Sequence, residues 1–382
     1  MSPLIEEREM RWWGRVLLLT LSLVASPAAL AGKSERLPAT ILIDAGSGRS
    51  LREQDADAPR PLGSLSQLML LLLSLEQSAL GVLPLDVPVT VSGAAASNAG
   101  VPFRPGKTYL LSDLLKAVTI ASANDAAVAV AEAIAGSVPA CVDLMNARAQ
   151  RLGMAATRYS SIGTVSPLAA AAPESTTAHD LARLAQALVR HPAVLEWASL
   201  SGVPFDQGSV LLRNTNQLLG AVPGVDGLQT SSVRVRQGGS FSVIASARRG
   251  ELQLVAVVLD AADTSTRYST AAELLEWGFA HYERIEIIRK GEPVNLPVRV
   301  LNGAVSQVTP VAGQTLSLLR RRDDERDLQL RYQLPVTVRA PLKRHQAIGE
   351  VIVEEKGQLV AVIPILSPTG VAATSMLSAG LP

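Results

Sequence analysis

Pro61-Leu62-Gly63-Ser64-Leu65-Ser66-Gln67 runs directly into a leucine-rich block, and its reading decides the fold. The pattern predicts a helix over residues 64–80, apolar almost all round, as in helices buried at the centre of a domain. Ser64 stands at its N-terminal end. Gln67 lies one turn later on the same face. Taken alone, such a serine is an ordinary helix cap. It becomes a reactive group only if a base lies beside it, and the residue at that place is an amide.

Working outward, residues 40–45 form a short β-rich run that ends in a Gly-Ser-Gly turn, with residues 49–54 as a hairpin partner. Residues 85–92 alternate with prolines and read as an edge strand. Pro105-Gly106 is a turn, after which Ser112 and Asp113 open a helix through Leu114, Leu115 and Val118. A break follows at Ala121-Ser122-Ala123-Asn124. The next helix spans residues 125–135 and stops at Gly136. Ser137 caps another, with Pro139 in its first turn. Thr177 caps a helix carrying Leu181, Leu184 and Leu188 at helical spacing. Residues 240–247 and 252–259 flank Arg248-Arg249-Gly250 as a β-hairpin, and Ser269 caps a final helix to Phe279. The order predicts a mixed α/β domain over residues 35–281, with an antiparallel sheet and a helical cluster.

From Ile285 the texture changes. Valine-rich runs at residues 294–300, 316–319, 328–334, 336–339, 347–353 and 359–366 are separated by Gly, Pro and charged turns. They predict a small all-β domain over residues 285–366. Residues 367–382 are weakly patterned and read as a flexible tail.

The chain of 382 residues has room for two domains. It is 48% hydrophobic but only 3% aromatic, so its cores must be aliphatic. A net charge of +1 gives no general attraction to nucleic acid or an anionic membrane. Arg8, Arg11 and Arg15, an apolar run over residues 16–25, and Ala29-Leu30-Ala31 form a secretory signal over residues 1–31, cleaved after Ala31. Translation starts at Met1 or at Met10. The mature protein is then exported, to the periplasm or cell envelope. Cys141 is the only cysteine, which excludes an internal disulfide and suits a buried, inert thiol. His179, His191, His281 and His345 are scattered without metal-ligand spacing, so neither metal nor cofactor is expected. Arg320-Arg321-Arg322 followed by Asp323, Asp324 and Glu325 reads as a solvated hairpin.

Three short stretches occur in order: Ser64-Leu65-Ser66-Gln67, Ser122-Ala123-Asn124, and Gln229-Thr230-Ser231 directly after Val225-Asp226-Gly227-Leu228. Their order and spacing resemble the low-molecular-weight penicillin-binding proteins, the serine D-alanyl-D-alanine carboxypeptidases, whose motifs are Ser-x-x-Lys, Ser-x-Asn and Lys-Thr-Gly. The resemblance extends to Ile41-Leu42-Ile43-Asp44-Ala45, Asn214-Thr215-Asn216, Leu274-Leu275-Glu276-Trp277-Gly278-Phe279 and Ala340-Pro341-Leu342. It covers nearly all of residues 38–365. Class A β-lactamases share the motifs but lack a trailing β domain of this kind.

The resemblance implies a penicillin-binding/β-lactamase-like transpeptidase fold and a mechanism. A lysine one turn from the serine takes its proton, a serine of the second motif passes it to the leaving D-alanine, and an asparagine binds the substrate amide. By this resemblance Ser64 matches the nucleophile, Ser122 and Asn124 the second motif, Thr230 the third, and Arg267 an arginine near the substrate carboxylate. Gln67 and Gln229 replace the two lysines, and Ser231 replaces a glycine. Drift towards arginine would have kept the charge; glutamine does not. The implied partners are peptidoglycan stem peptides, β-lactams, and a cell-wall protein. Nucleic acid is not among them. Residues 367–382 lack basic and aromatic residues, so membrane attachment is weak or absent. Two functions stay open. One is a pseudoenzyme that recognises D-Ala-D-Ala ends without turnover. The other is an active but slow carboxypeptidase acting through a Ser64 acyl-enzyme.

Overall fold

The computed structural model describes residues 37–163, 174–235, 238–325 and 327–374. The expected signal segment and residues 375–382 of the expected tail lie outside them. The chain opens with β1 (Ala39–Asp44), β2 (Ser50–Gln54) and β3 (Arg60–Pro61). A 3-10 turn, Gly63–Ser66, leads into α1 (Gln67–Ala79). There follow β4 (Pro88–Thr90), α2 (Gly93–Ala96), β5 (Thr108–Leu110), α3 (Leu111–Ala121), α4 (Asn124–Ala135) and α5 (Val138–Arg151). After β6 (Ser175–Thr176) come α6 (Ala178–Leu188), α7 (Pro192–Ala198), β7 (Gly202–Phe205) and β8 (Val210–Arg213). The meander β9 (Val225–Val235), β10 (Gly238–Arg249) and β11 (Leu252–Ala261) ends in α8 (Thr264–His281).

The main sheet has the order β2-β1-β11-β10-β9, with antiparallel pairing throughout. Strand periodicity explains its two faces. Ile41, Ile43, Val255, Val257 and Ile244 point to the helical cluster. Leu42, Leu254, Ala256, Val243 and Ala245 point to Ala271, Leu275 and Phe279 of α8. Helix α1 sits within the first cluster, with every residue from Gln67 to Leu75 buried. Fully burying a leucine stabilises by roughly 1.5–3 kcal/mol, so its leucines fix α1 at the centre. Cys141 is also in this cluster, and burial pushes its thiol up to about 11.

The caps expected at Ser137 and Thr177 accept from Ala140 N and Asp180 N. The expected cap at Ser269 is displaced. Helix α8 starts a turn and a half earlier, where Asp263 Oδ1 accepts from Thr266 N at 2.7 Å. Ser269 lies inside the helix and donates to Thr266 O. The strand expected over residues 85–92 shrinks to β4, because Val87 closes a turn on Pro84.

The second domain starts at β12 (Tyr282–Ile288), continuous with α8, and includes β13 (Val298–Leu301), β14 (Gln307–Val308), β15 (Val311–Ala312) and β16 (Leu316–Arg321). It closes with β17 (Leu328–Gln333), β18 (Thr337–Arg339), β19 (Ala347–Glu355) and β20 (Gln358–Leu366). Residues expected in the loose tail belong to this domain as far as Thr374. Ser367 is buried, Val371 pairs with Leu342, and Thr374 N donates to Asn302 O. Asp44 and Arg284 join the domains through an ion pair of 2.5 Å. Residues 322–325 of the arginine–acid run are exposed as a solvated turn, but the flanking β16 and β17 belong to different sheets and so form no hairpin, and Arg320 and Arg322 pair with Glu283.

Candidate active site

Ser64 lies in the 3-10 turn rather than in α1 proper. In 3-10 geometry residues i and i+3 eclipse, which sets Ser64 and Gln67 on one face. Ser64 caps nothing: its Oγ donates to Thr230 O at 3.2 Å. Its backbone N–H donates to Ser231 Oγ, also at 3.2 Å. Gly63 makes this approach possible. At φ +55° it adopts a left-handed conformation that suits glycine, and a Cβ there would lie 2.5 Å from Ser231 Oγ. Gly163 closes the other side: a Cβ there would fall 2.9 Å from both Ser64 Cα and Ser66 Oγ.

Ser122 ends α3 in the left-handed region, at φ 50° and ψ 40°. Such a conformation costs a non-glycine residue on the order of 1–2 kcal/mol. It breaks the helix so that α4 restarts at Asn124, whose backbone N–H donates to Ala99 O at 3.0 Å. Strand β9 is an edge of the main sheet, and period-two alternation puts Gln229 and Ser231 on one face of it.

These elements converge on a chain of neutral amides. Gln229 Nε2 donates to Gln67 Oε1 at 2.8 Å and to Ser122 Oγ at 3.1 Å. Gln67 Nε2 donates to Asn124 Oδ1 at 2.9 Å. Gln67 is 0% exposed and Gln229 is 3% exposed, so these bonds form in a dry environment where an unmade one would be costly. The structure thus brings together Ser64, Gln67, Ser122, Asn124, Gln229, Thr230 and Ser231. Arg267 joins them from α8: its Nη1 donates to Ser231 O at 2.9 Å and to Ser232 Oγ at 3.1 Å. The guanidinium is buried, and its Nε has no hydrogen-bond partner among the described residues.

Two supports escape the sequence reading. Thr230 Oγ1 donates to Thr215 Oγ1 at 2.9 Å, and Tyr268 Oη donates to Thr215 O at 2.7 Å while accepting from Arg267 Nη2. Thr215 was visible only as the middle of Asn214-Thr215-Asn216. Lys107 and Lys116 are engaged elsewhere, with Asp206 and Asp113. Burial pushes the Asp125 carboxyl, next to Asn124, up to about 6, against hydrogen bonds from the backbone of Ala126, Val101 and Phe103.

A serine at the mouth of a buried helix, a second serine at a helix break and an edge strand between them define a serine acyl-transfer scaffold of the penicillin-binding type. Residues 28–263 match the peptidase S11 family model, D-alanyl-D-alanine carboxypeptidase, and residues 282–373 match the C-terminal domain of penicillin-binding protein 5. The chain therefore belongs to the D-alanyl-D-alanine carboxypeptidase family. It is 30% identical to the D-alanyl-D-alanine carboxypeptidase DacC of Escherichia coli over 86% of this chain and 82% of that protein. It is 25% identical to DacF of Bacillus subtilis over 85% and 83%. Among solved structures, penicillin-binding protein 5 of Haemophilus influenzae shares the fold with a TM-score of 0.63 at 24% identity, covering 87% of this chain and 97% of that one. Penicillin-binding protein D2 of Listeria monocytogenes, in an ampicillin-bound form, gives 0.55 at 31% identity, covering 63% and 96%.

Proposed function

We propose that this chain is an exported member of the family that holds the D-Ala-D-Ala end of peptidoglycan stem peptides without hydrolysing it. The observation that carries this reading is the amide chain from Gln229 through Gln67 to Asn124. Glutamine takes no proton near neutral pH and carries no charge. Ser64 directs its hydroxyl to the Thr230 carbonyl, which is no base either. Losing a general base costs about 10²–10⁴-fold in rate, and losing part of a coupled set costs on the order of 10⁶. The buried Arg267 guanidinium, with no carboxylate within ion-pair distance among the described residues, supports carboxylate recognition beside β9. Export is supported by the basic, apolar and Ala-x-Ala succession ahead of residue 32.

A second reading, a slow serine carboxypeptidase or penicillin binder, is favoured by the convergence of Ser64, Ser122, Asn124, Thr230 and Arg267 on one site. It requires a water or the substrate to serve as base. Incubation with a labelled penicillin, read as a mass increase on Ser64, separates the two. D-alanine release from a D-Ala-D-Ala peptide is measured alongside. The non-hydrolysing reading expects neither within hours. A stoichiometric adduct with turnover would sink it. Binding of the same peptide by calorimetry tests the recognition half: no heat and no saturation would remove D-Ala-D-Ala as the ligand.

A further inference from the structure

We infer that Ser231 is a second block on acylation, separate from the missing lysines, and that it acts by occupying the backbone N–H of Ser64. The inference rests on the reading above that the site accepts a D-Ala-D-Ala end. When a serine oxygen attacks a carbonyl, negative charge develops on the carbonyl oxygen beside that serine. Backbone N–H groups at the nucleophile are well placed to stabilise it. In this chain the Ser64 N–H is already taken by Ser231 Oγ at 3.2 Å.

Ser231 is held in this position. It is 4% exposed. Its carbonyl accepts from Arg267 Nη1 at 2.9 Å, and the neighbouring Thr230 is tied to Thr215. Gln229 and Ser231 share one face of β9, so the same strand that supplies the neutral amide to Gln67 supplies the hydroxyl to Ser64. The hydroxyl shares with Val233 Cγ2 the space that Gly63 leaves open, at 2.5 Å and 2.3 Å from where a Cβ would stand. A glycine at 231 would leave the Ser64 N–H free. An incoming carbonyl oxygen must displace Ser231 Oγ before it can use the Ser64 N–H, whichever residues stand at 67 and 229.

The test uses the full mature chain and two readouts. The first is equilibrium affinity for a diacetyl-Lys-D-Ala-D-Ala peptide, with Ser231→Gly and Ser231→Ala against the parent. Both variants should bind about tenfold tighter, the worth of one hydrogen bond to be displaced. The second is the rate of Ser64 labelling by a fluorescent penicillin, comparing Q67K/Q229K with Q67K/Q229K/S231G. The triple variant should label at least about tenfold faster. Thermal melting verifies that each variant is folded, and Ser231→Ala replaces the glycine variant if strand β9 does not tolerate glycine. Equal affinities and equal labelling rates on both backgrounds overturn the inference. So does a gain with Ser231→Gly that Ser231→Ala lacks, because the hydroxyl would then not be the block. Rapid labelling of the parent chain overturns the non-hydrolysing reading instead, and a further rise on removing Ser231 would still uphold its role.

Discussion

Gln229 donates its side-chain amide to Gln67 Oε1 at 2.8 Å, although the two residues stand 162 positions apart in the chain. The pairing makes the two replacements interdependent. Gln67 needs an acceptor on one side and a donor on the other: it gives to Asn124 and receives from Gln229. A lysine at 67 offers donors only and would set its ammonium against the Gln229 amide donor, whereas a lysine at 229 would still donate to Gln67 Oε1 and Ser122 Oγ. The site is therefore internally matched as a neutral set, not simply short of two charges.

Gln67→Ala should lower the unfolding free energy by about 2–4 kcal/mol. The change leaves Gln229 Nε2 and Asn124 Oδ1 each short of a bond in a buried place and opens a cavity beside α1. Urea unfolding of the two proteins under identical conditions measures it. A loss below about 0.5 kcal/mol would mean the amide chain is not formed in solution.

Restoring both lysines, as Q67K/Q229K, should make the protein less stable than the parent. Two cations would enter sites that are 0% and 3% exposed, and no carboxylate faces them among the described hydrogen bonds. Desolvation of each costs several kcal/mol before compensation by water or rearrangement. Scanning fluorimetry should show a fall of several degrees. The gap should narrow as pH rises towards about 10, where ammonium groups lose their protons. A variant that melts at or above the parent at pH 7 contradicts this account.

Much of this was legible in the sequence because local chemistry and tertiary demand agree there. Thr177 and Ser137 cap helices as their positions suggest. The β10–β11 hairpin turns where Arg248-Arg249-Gly250 leaves the β pattern. The start of α8 was misread because Asp263, Ser269 and the residues between them include several good caps, and only packing against β11 selects Asp263. Of the site, the three motif stretches are local and could be read. Thr215, Tyr268 and the direction of each amide could not, since they depend on which side chains meet across more than a hundred residues. The hydroxyl of Ser231 on Ser64 N–H belongs to the same group.

Arg284→Ala should cost about 3 kcal/mol of stability. Asp44 is fully buried, and among the described residues its carboxylate keeps only Ser47 as a donor once the guanidinium is gone. Its Oδ1 already lacks a hydrogen-bond partner among the described residues. Asp44→Asn, which removes the charge together with the need for it, should cost less than Arg284→Ala. Denaturant unfolding of both variants ranks them, and the reverse order would show that the guanidinium contributes through packing rather than charge.

Asp125→Asn should change the pH dependence of stability in a defined window. Burial raises the Asp125 carboxyl from its ordinary 3.8 to about 6 in the folded protein. Between about pH 4 and pH 6 the folded state therefore binds more protons than the unfolded state. Through this group, stability falls as pH rises across that window, and levels off above it. Each pKa unit corresponds to about 1.4 kcal/mol, so the full effect is at most about 3 kcal/mol. The backbone N–H groups of Ala126, Val101 and Phe103 favour the ionised form but do not outweigh burial. An asparagine keeps an acceptor for Ala126 N and has nothing to titrate. The stability of the variant relative to the parent should thus increase by about 1–3 kcal/mol from pH 4 to pH 7. Taking the difference between the two proteins cancels every other titrating group. Urea midpoints at half-unit steps provide the measurement. A difference that stays constant across the window would show that Asp125 titrates at its ordinary value, and that the segment from Val101 to Phe103 does not shield it from water.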